Sequence, residues 1–187
     1  SSSQRRQELL QMIQYDFKVI PSDADEHIPP CPPDEYVKKL AFKKANSVYA
    51  THPDDCVIGS DTIVELDGRI IGKPRDQQDA CAILSRLSGR THTVYTGVSV
   101  LCPQKQLLAC STAKVTFRKL EEEEIRAYVH TGDPMDKAGA YGVQGGAAVF
   151  IERIEGSYFT VIGMPIHVLY KMLKQVGITP KWIKSRA

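Results

Sequence analysis

The feature that most restricts this chain is its punctuation: β-branched runs come in pairs joined by tight turns, and helix-period segments lie between the pairs. Val57–Leu66 runs into Asp67-Gly68, a strong hairpin signal, and returns through Arg69, Ile70 and Ile71. Thr91–Leu101 and Leu107–Phe117 read as a second hairpin of two long strands. Helices interleaved with hairpins, rather than with single strands, predict an α/β chain of the mixed, α+β kind: a partly antiparallel sheet flanked by helices, not a pure βαβ stack. At 187 residues the chain is long enough for one sizeable domain, or two lobes sharing a core. Area scaling buries about 70% of the unfolded surface, so no disulfide or zinc staple is needed.

Leu9, Leu10 and Ile13 give a helix from Gln4 to about Gln14, behind serines suited to capping it. Further helices are predicted from Asp34 to Tyr49, from Asp76 to Gly89, from the acidic run Glu121–Glu124 to Gly132, and from Pro165 to Gly177. Asp16–Ile20 reads as a short strand. Ala147–Glu152 and Tyr158–Ile162 read as two more, around a turn at Glu155-Gly156. Ser22–Pro32 is a polar, proline-rich loop, and the glycine-rich stretch Asp133–Gly146 is the best seam between lobes.

A hydrophobic content of 42% excludes disorder over most of the chain. No apolar run approaches the roughly 18 residues of a membrane span. The net charge of +2, from 24 basic and 22 acidic residues, does not supply the dense positive field of non-specific nucleic-acid binding. Lys171, Lys174, Lys181, Lys184 and Arg186 read as a solvated helix face and tail. The five cysteines are widely spaced, without a C-x-x-C or zinc-finger pattern, and read as reduced thiols in a reducing compartment.

Sites tend to lie where local logic is broken. Asp61 interrupts the run Val57-Ile58-Gly59-Ser60-Asp61-Thr62-Ile63-Val64, and a buried carboxylate is costly unless it is paired or bound to metal. Lys44 falls inside the apolar stripe Val37, Leu40, Ala41, Ala45, Val48, where it either snorkels to solvent or serves a site. Arg5 and Arg6 stand in a helix's first turn, against its dipole, and suit phosphate oxygens. Lys73, in Gly72-Lys73-Pro74, adds a cation outside any Walker-type loop. Around Asp136–Gly145, small residues allow close backbone approach and Gln144 has an amide able to read a base edge; an ordinary mobile loop explains the composition equally well. Carboxylates with these cations suggest phosphate handled with a divalent metal, magnesium or manganese.

These segments resemble the Maf family of nucleotide pyrophosphatases, within the ITPase-like fold. The resemblance runs from Ser1-Ser2-Ser3-Gln4-Arg5-Arg6 (family S-x-S-P-R-R) through Ser22-Asp23-Ala24-Asp25-Glu26 and Leu40–Ala45 to Ser60-Asp61-Thr62. It continues with Gly72-Lys73-Pro74, Leu87-Ser88-Gly89, Thr96-Gly97-Val98, Pro134–Gly145 and Gly156-Ser157-Tyr158. Gln4 stands where the family has proline, and the family's apolar first strand is not seen ahead of the serines. The resemblance implies one Maf-like domain over residues 1–187, with a long twisted mixed sheet and two lobes around a central cleft. It implies a cytoplasmic enzyme, a homodimer in its family, that cleaves a nucleoside triphosphate to monophosphate and pyrophosphate with Mg2+ or Mn2+. That is a house-cleaning role against non-standard nucleotides, without a membrane or specific nucleic-acid partner. The stretch Asp136–Gly145 with Gly156-Ser157-Tyr158 looks like the branch acting on dTTP and UTP. By the same resemblance Asp61 is the proton acceptor, and Arg5, Thr62 and Gln144 influence substrate choice. Glu26 or Asp61 would hold the metal, while Arg5, Arg6, Lys44 and Lys73 would neutralise the triphosphate. The competing expectation is a non-catalytic regulator, binding nucleotide or nucleic acid and linked to septum formation and cell division.

Overall fold

A computed structural model describes residues 3–184. Ser1 and Ser2 of the serine motif and Arg186 of the basic tail lie outside the described residues. Strands β1 (Val57–Leu66), β2 (Arg69–Ile71), β3 (Thr91–Cys102), β4 (Lys105–Phe117) and β5 (Ile151–Gly156) form one sheet in the order β2-β1-β3-β4-β5. The outer pairs β1–β2 and β4–β5 are antiparallel, and β3 returns as β4 through the tight turn Pro103-Gln104. The helices are α1 (Gln4–Met12), α2 (Pro33–Tyr49), α3 (Gln77–Leu87), α4 (Glu122–His130), α5 (Tyr158–Ile162), α6 (Ile166–Gln175) and α7 (Lys181–Lys184). This is a five-stranded sheet flanked by helices, as the paired runs predict, and its outer pairs are antiparallel. Among the described residues, no helix is long and apolar enough to cross a membrane. The chain falls into two compact units.

The first unit comprises Ser1–Asp61, Thr96–Ser111 and Gly163–Ala187. Its α2 starts one residue before the expected Asp34 cap: Pro32 is the N-cap, Pro33 takes the first position, and Asp34 and Glu35 lie in the first turn, where the dipole favours acids. The buried stripe of α2 is Val37, Leu40, Ala41, Ala45 and Val48. This helix rests on bare sheet backbone. A methyl group on Gly59 of β1 would stand 2.3 Å from the Ala41 carbonyl oxygen, and one on Gly97 of β3 would stand 2.2 Å from that of Val37.

Two expectations are corrected in this unit. Asp16–Ile20 is extended but belongs to no strand. A β-prone run becomes a strand only where a neighbouring edge takes its N–H and C=O groups, and no such ladder forms here among the described residues. The segment is tied instead at its start, where the Lys181 amide donates to the Gln14 carbonyl (3.0 Å) and the Lys181 ammonium pairs with Asp16 (2.6 Å). The cysteines, expected to be reduced, include one disulfide: Cys56 and Cys102, 46 residues apart, meet with Cα atoms 4.3 Å apart because β1 and β3 are neighbours. Cys31, Cys81 and Cys110 are free thiols.

The second unit comprises Thr62–Tyr95 and Thr112–Ile162. Asp76 caps α3 by accepting from the Asp79 amide (2.7 Å), and Glu121 with Glu124 forms a capping box at the start of α4. The core gathers Leu84, Leu87, Val94, Val115, Phe117 and Phe150 with the buried faces of these helices. β5 begins at Ile151, after a 3-10 turn over Gly146–Phe150, rather than at Ala147. Tyr158–Ile162 is a short helix, not a strand. Gly156 (φ +114°) and Gly163 (φ +110°) bracket it with backbone that side chains rarely adopt, and the Thr160 amide closes locally on the Ser157 carbonyl (3.0 Å). His92 is a buried core residue, packed edge-on against Phe117 and Tyr141. Its Nε2 lies 2.8 Å from the Tyr141 hydroxyl, and its Nδ1 has no partner among the described residues.

Burial pushes the His92 pKa down from 6.5 to about 4, so folding holds the ring neutral. The stability gained is intact above pH 6.5 and drains away as pH falls toward 4, by up to about 3 kcal/mol. Urea titrations across this window should show that loss in the native sequence and much less of it in His92→Phe; equal slopes would refute the assignment. Gly59→Ala is expected to cost about 1–3 kcal/mol by forcing α2 off the sheet, measured as a lower denaturation midpoint. An unchanged midpoint would show that the helix can shift freely.

Candidate active site

In the first unit, four elements bring charged side chains together. α2 carries Lys44 on its sheet-facing side, β1 carries Asp61, the Ser22–Pro32 loop carries Glu26, and α1 carries Arg6. The Lys44 ammonium donates to Asp61 Oδ1 at 2.8 Å and pairs with Glu26 Oε1 at 3.0 Å. Lys44 therefore does not merely snorkel to solvent. Asp61 is 8% exposed, and a carboxylate at that depth needs such a counter-charge. Glu26 is exposed. Lys43, the neighbour of Lys44, donates to the His27 carbonyl (2.9 Å) and pairs with Asp25 (3.6 Å), so the acidic loop is held to α2 at successive residues.

Arg6, in the first turn of α1, reaches the first half of β1 at Ser60. Its Nε donates to the Gly163 carbonyl and its Nη1 to the Ser60 carbonyl, both at 2.8 Å. Burial lowers its pKa below the ordinary arginine value, and Arg5 adds to that, while Asp61 and Glu26 oppose it. The Ser60 hydroxyl is shared between the carbonyls of Gly97 (2.9 Å) and Gly163 (3.0 Å). Arg6, Glu26, Lys44 and Ser60 all line one cleft of about 680 Å3, whose other walls include Leu10 and Met164. Asp61 does not itself line this cleft; it lies behind Lys44, at 2.8 Å from its ammonium. Tyr36, one helical turn before Leu40, has its pKa raised by burial and then by the negative charge of Asp61 and Glu26. Sequence reasoning missed Tyr36 and the Ser60 hydroxyl; the only signal was the i, i+4, i+8 spacing of Tyr36, Leu40 and Lys44.

The remaining candidates stand in the second unit, apart from Arg5, which is half-buried beside Arg6 in α1. Thr62 follows Asp61 along β1 and is half-buried. Lys73 is exposed just after β2, and its segment is tied to the glycine-rich stretch, since the Gly139 amide donates to the Gly72 carbonyl at 3.0 Å. That stretch is organised around Lys137, whose ammonium donates to Asp133 Oδ1 (3.0 Å) and Asp136 Oδ1 (2.7 Å). The Tyr128 hydroxyl donates to Asp133 Oδ2 at 2.5 Å and accepts from the Gly142 amide at 3.3 Å. A methyl group on Gly142 would stand 2.7 Å from Lys137 Cε, so the backbone passes close along this nearly buried side chain. Gln144 is exposed on the resulting loop.

The donor set bears on the metal. Among the described residues no group of three or more His, Cys, Asp and Glu could cage an ion. Glu26 and Asp61, however, converge on one ammonium, and magnesium is commonly bound by one or two carboxylates with substrate phosphate and water supplying the rest. The residues present fit that mode and not an all-protein site. Lys44→Met leaves the two carboxylates facing each other without their cation, at an expected cost of about 1–3 kcal/mol. In a double-mutant cycle with Asp61→Asn, read by urea denaturation, the two losses should be markedly less than additive; strict additivity would deny the pair an energetic role.

The sequence model of the family described as Maf-like protein matches residues 1–176. A protein of Aquifex aeolicus named dTTP/UTP pyrophosphatase is 48% identical over 178 residues, covering 95% of this chain and 94% of its own length. Proteins of the same name from Symbiobacterium thermophilum and Thermococcus gammatolerans are 47% and 45% identical, each over 95% of this chain and 92% and 94% of their own lengths.

Proposed function

Because the chain belongs to the Maf family, we propose that it is a nucleoside-triphosphate pyrophosphatase acting on dTTP- and UTP-type nucleotides. The observation that carries this reading is the Lys44 ammonium held between Glu26 and Asp61 in a cleft that Arg6 and Ser60 also line. Relatives of 45–48% identity bearing the name dTTP/UTP pyrophosphatase support the choice of nucleotide.

In this reading Asp61 accepts a proton from a water that attacks the α-phosphorus. The bond from that phosphorus to the α–β bridging oxygen breaks, pyrophosphate leaves, and the nucleoside monophosphate remains. Lys44, 2.8 Å from Asp61 Oδ1, holds the carboxylate in place, so that it is aimed to take the proton. Arg5 and Lys73 neutralise the polyphosphate, and Thr62 and Gln144 discriminate the base, since a wrong base edge leaves the polar groups it covers unpaired. Glu26 and Asp61 would hold a magnesium or manganese ion, which supplies Lewis-acid stabilisation of charge on the phosphate oxygens. Most of the rate then comes from positioning and charge stabilisation rather than from the base alone.

The test is product identification with the native sequence and Asp61→Asn, given dTTP, UTP and purine triphosphates with magnesium. Pyrophosphate and monophosphate are expected, with the pyrimidines preferred. Asp61→Asn should fold normally and lose about 10²–10⁴-fold in turnover. Orthophosphate as product, or nucleotide binding without cleavage, would overturn the reading.

A further inference from the structure

The cationic start of α1 suits phosphate by its charge, yet the structure uses one of its two guanidinium groups differently. Arg6 directs Nε to the Gly163 carbonyl and Nη1 to the Ser60 carbonyl, each at 2.8 Å. The Ser60 carbonyl belongs to the peptide unit that joins Ser60 to Asp61. Rotation of that planar unit is coupled to the direction in which the Asp61 side chain leaves β1. The same short stretch is pinned from its side chain, where the Ser60 hydroxyl lies 2.9 Å from the Gly97 carbonyl and 3.0 Å from that of Gly163. The Gly163 carbonyl thus accepts from both Arg6 and Ser60, on a residue with φ of +110°. One guanidinium fork spans two carbonyls from chain segments that are far apart in sequence, which a lysine's single ammonium point does not reproduce.

We propose that Arg6 is a positioning residue for Asp61, acting through the Ser60–Asp61 peptide unit, rather than a ligand of the substrate phosphates. This rests on the reading of Asp61 as the proton acceptor. Removing a phosphate ligand weakens ground-state binding and raises KM. Loosening the peptide that aims the base leaves binding intact and lowers kcat.

The experiment compares the native protein with Arg6→Lys and Arg6→Ala, using dTTP with magnesium. For Arg6→Lys, kcat should fall by about 10²-fold, as for a misplaced catalytic group, while KM stays within about twofold. Millimolar guanidinium added to Arg6→Ala should restore kcat without lowering KM. A raised KM with kept kcat, or rescue that acts on KM alone, would overturn the proposal and return Arg6 to the phosphates. A second readout does not depend on activity. In hydrogen–deuterium exchange, peptides covering Val57–Asp61 should exchange about tenfold faster in Arg6→Lys than in the native protein, with distant peptides unchanged. Uniformly faster exchange, or none, would refute the local role. Should the native protein release no pyrophosphate from any nucleotide, the enzymatic reading fails, and the exchange experiment still decides whether Arg6 holds the Ser60–Asp61 unit.

Discussion

Everything in the candidate site depends on one cation between two carboxylates. Asp61 sits in a β-branched strand at a depth where an unpaired negative charge is costly, and the Lys44 ammonium at 2.8 Å is what makes its place there tolerable. The pair in turn sets demands on the backbone. Lys44 reaches Asp61 because α2 lies directly on the sheet, and α2 lies there because Gly59 and Gly97 offer no side chain to hold it off. The apolar stripe of α2 supplies the adhesion, the glycines the approach, and the ion pair the chemistry. A helix standing one methyl group further out would hold Lys44 further from Asp61.

Much of this was legible in the sequence, residue by residue. Asp61 announced itself by breaking a β run, and Lys44 by breaking an apolar stripe, because both violations are local and periodicity exposes them. Their meeting was not legible, since it is a tertiary distance. Glu26 shows no periodic signal in its loop and was a candidate only by its residue type, as one of the acidic pair Asp25-Glu26. Arg6 illustrates the opposite limit: its charge at a helix start was plain, but its destination depends on Gly163, which no local rule connects to it. The hairpins and most helices followed from turn chemistry and caps. The failures share a cause. Asp16–Ile20 and Tyr158–Ile162 both have β-prone side chains, yet a strand is a relation between two edges and a short run does not carry its partner with it. Cys56 and Cys102 likewise become partners only through the adjacency of β1 and β3.

The second unit solves a different problem with similar means. Its glycine-rich stretch reads as loose by composition, but Lys137 is nearly buried and organises it through Asp133 and Asp136. The glycines there make room for a side chain rather than for motion. Exposed Gln144 is thereby presented on a loop whose base is tightly specified, which is how loops that discriminate among ligands are generally supported.

The clamp at Arg6 has a temporal side. Its acceptor on Gly163 lies 157 residues further along the chain, whereas Glu26, Lys44 and Asp61 all precede Gly163 by more than a hundred residues. A ribosome will have released the whole acid–base cluster long before it makes the residue that completes the guanidinium's bonding. During synthesis, then, the nascent polypeptide carries the reactive groups without their final alignment, which follows only once Gly163 has been made.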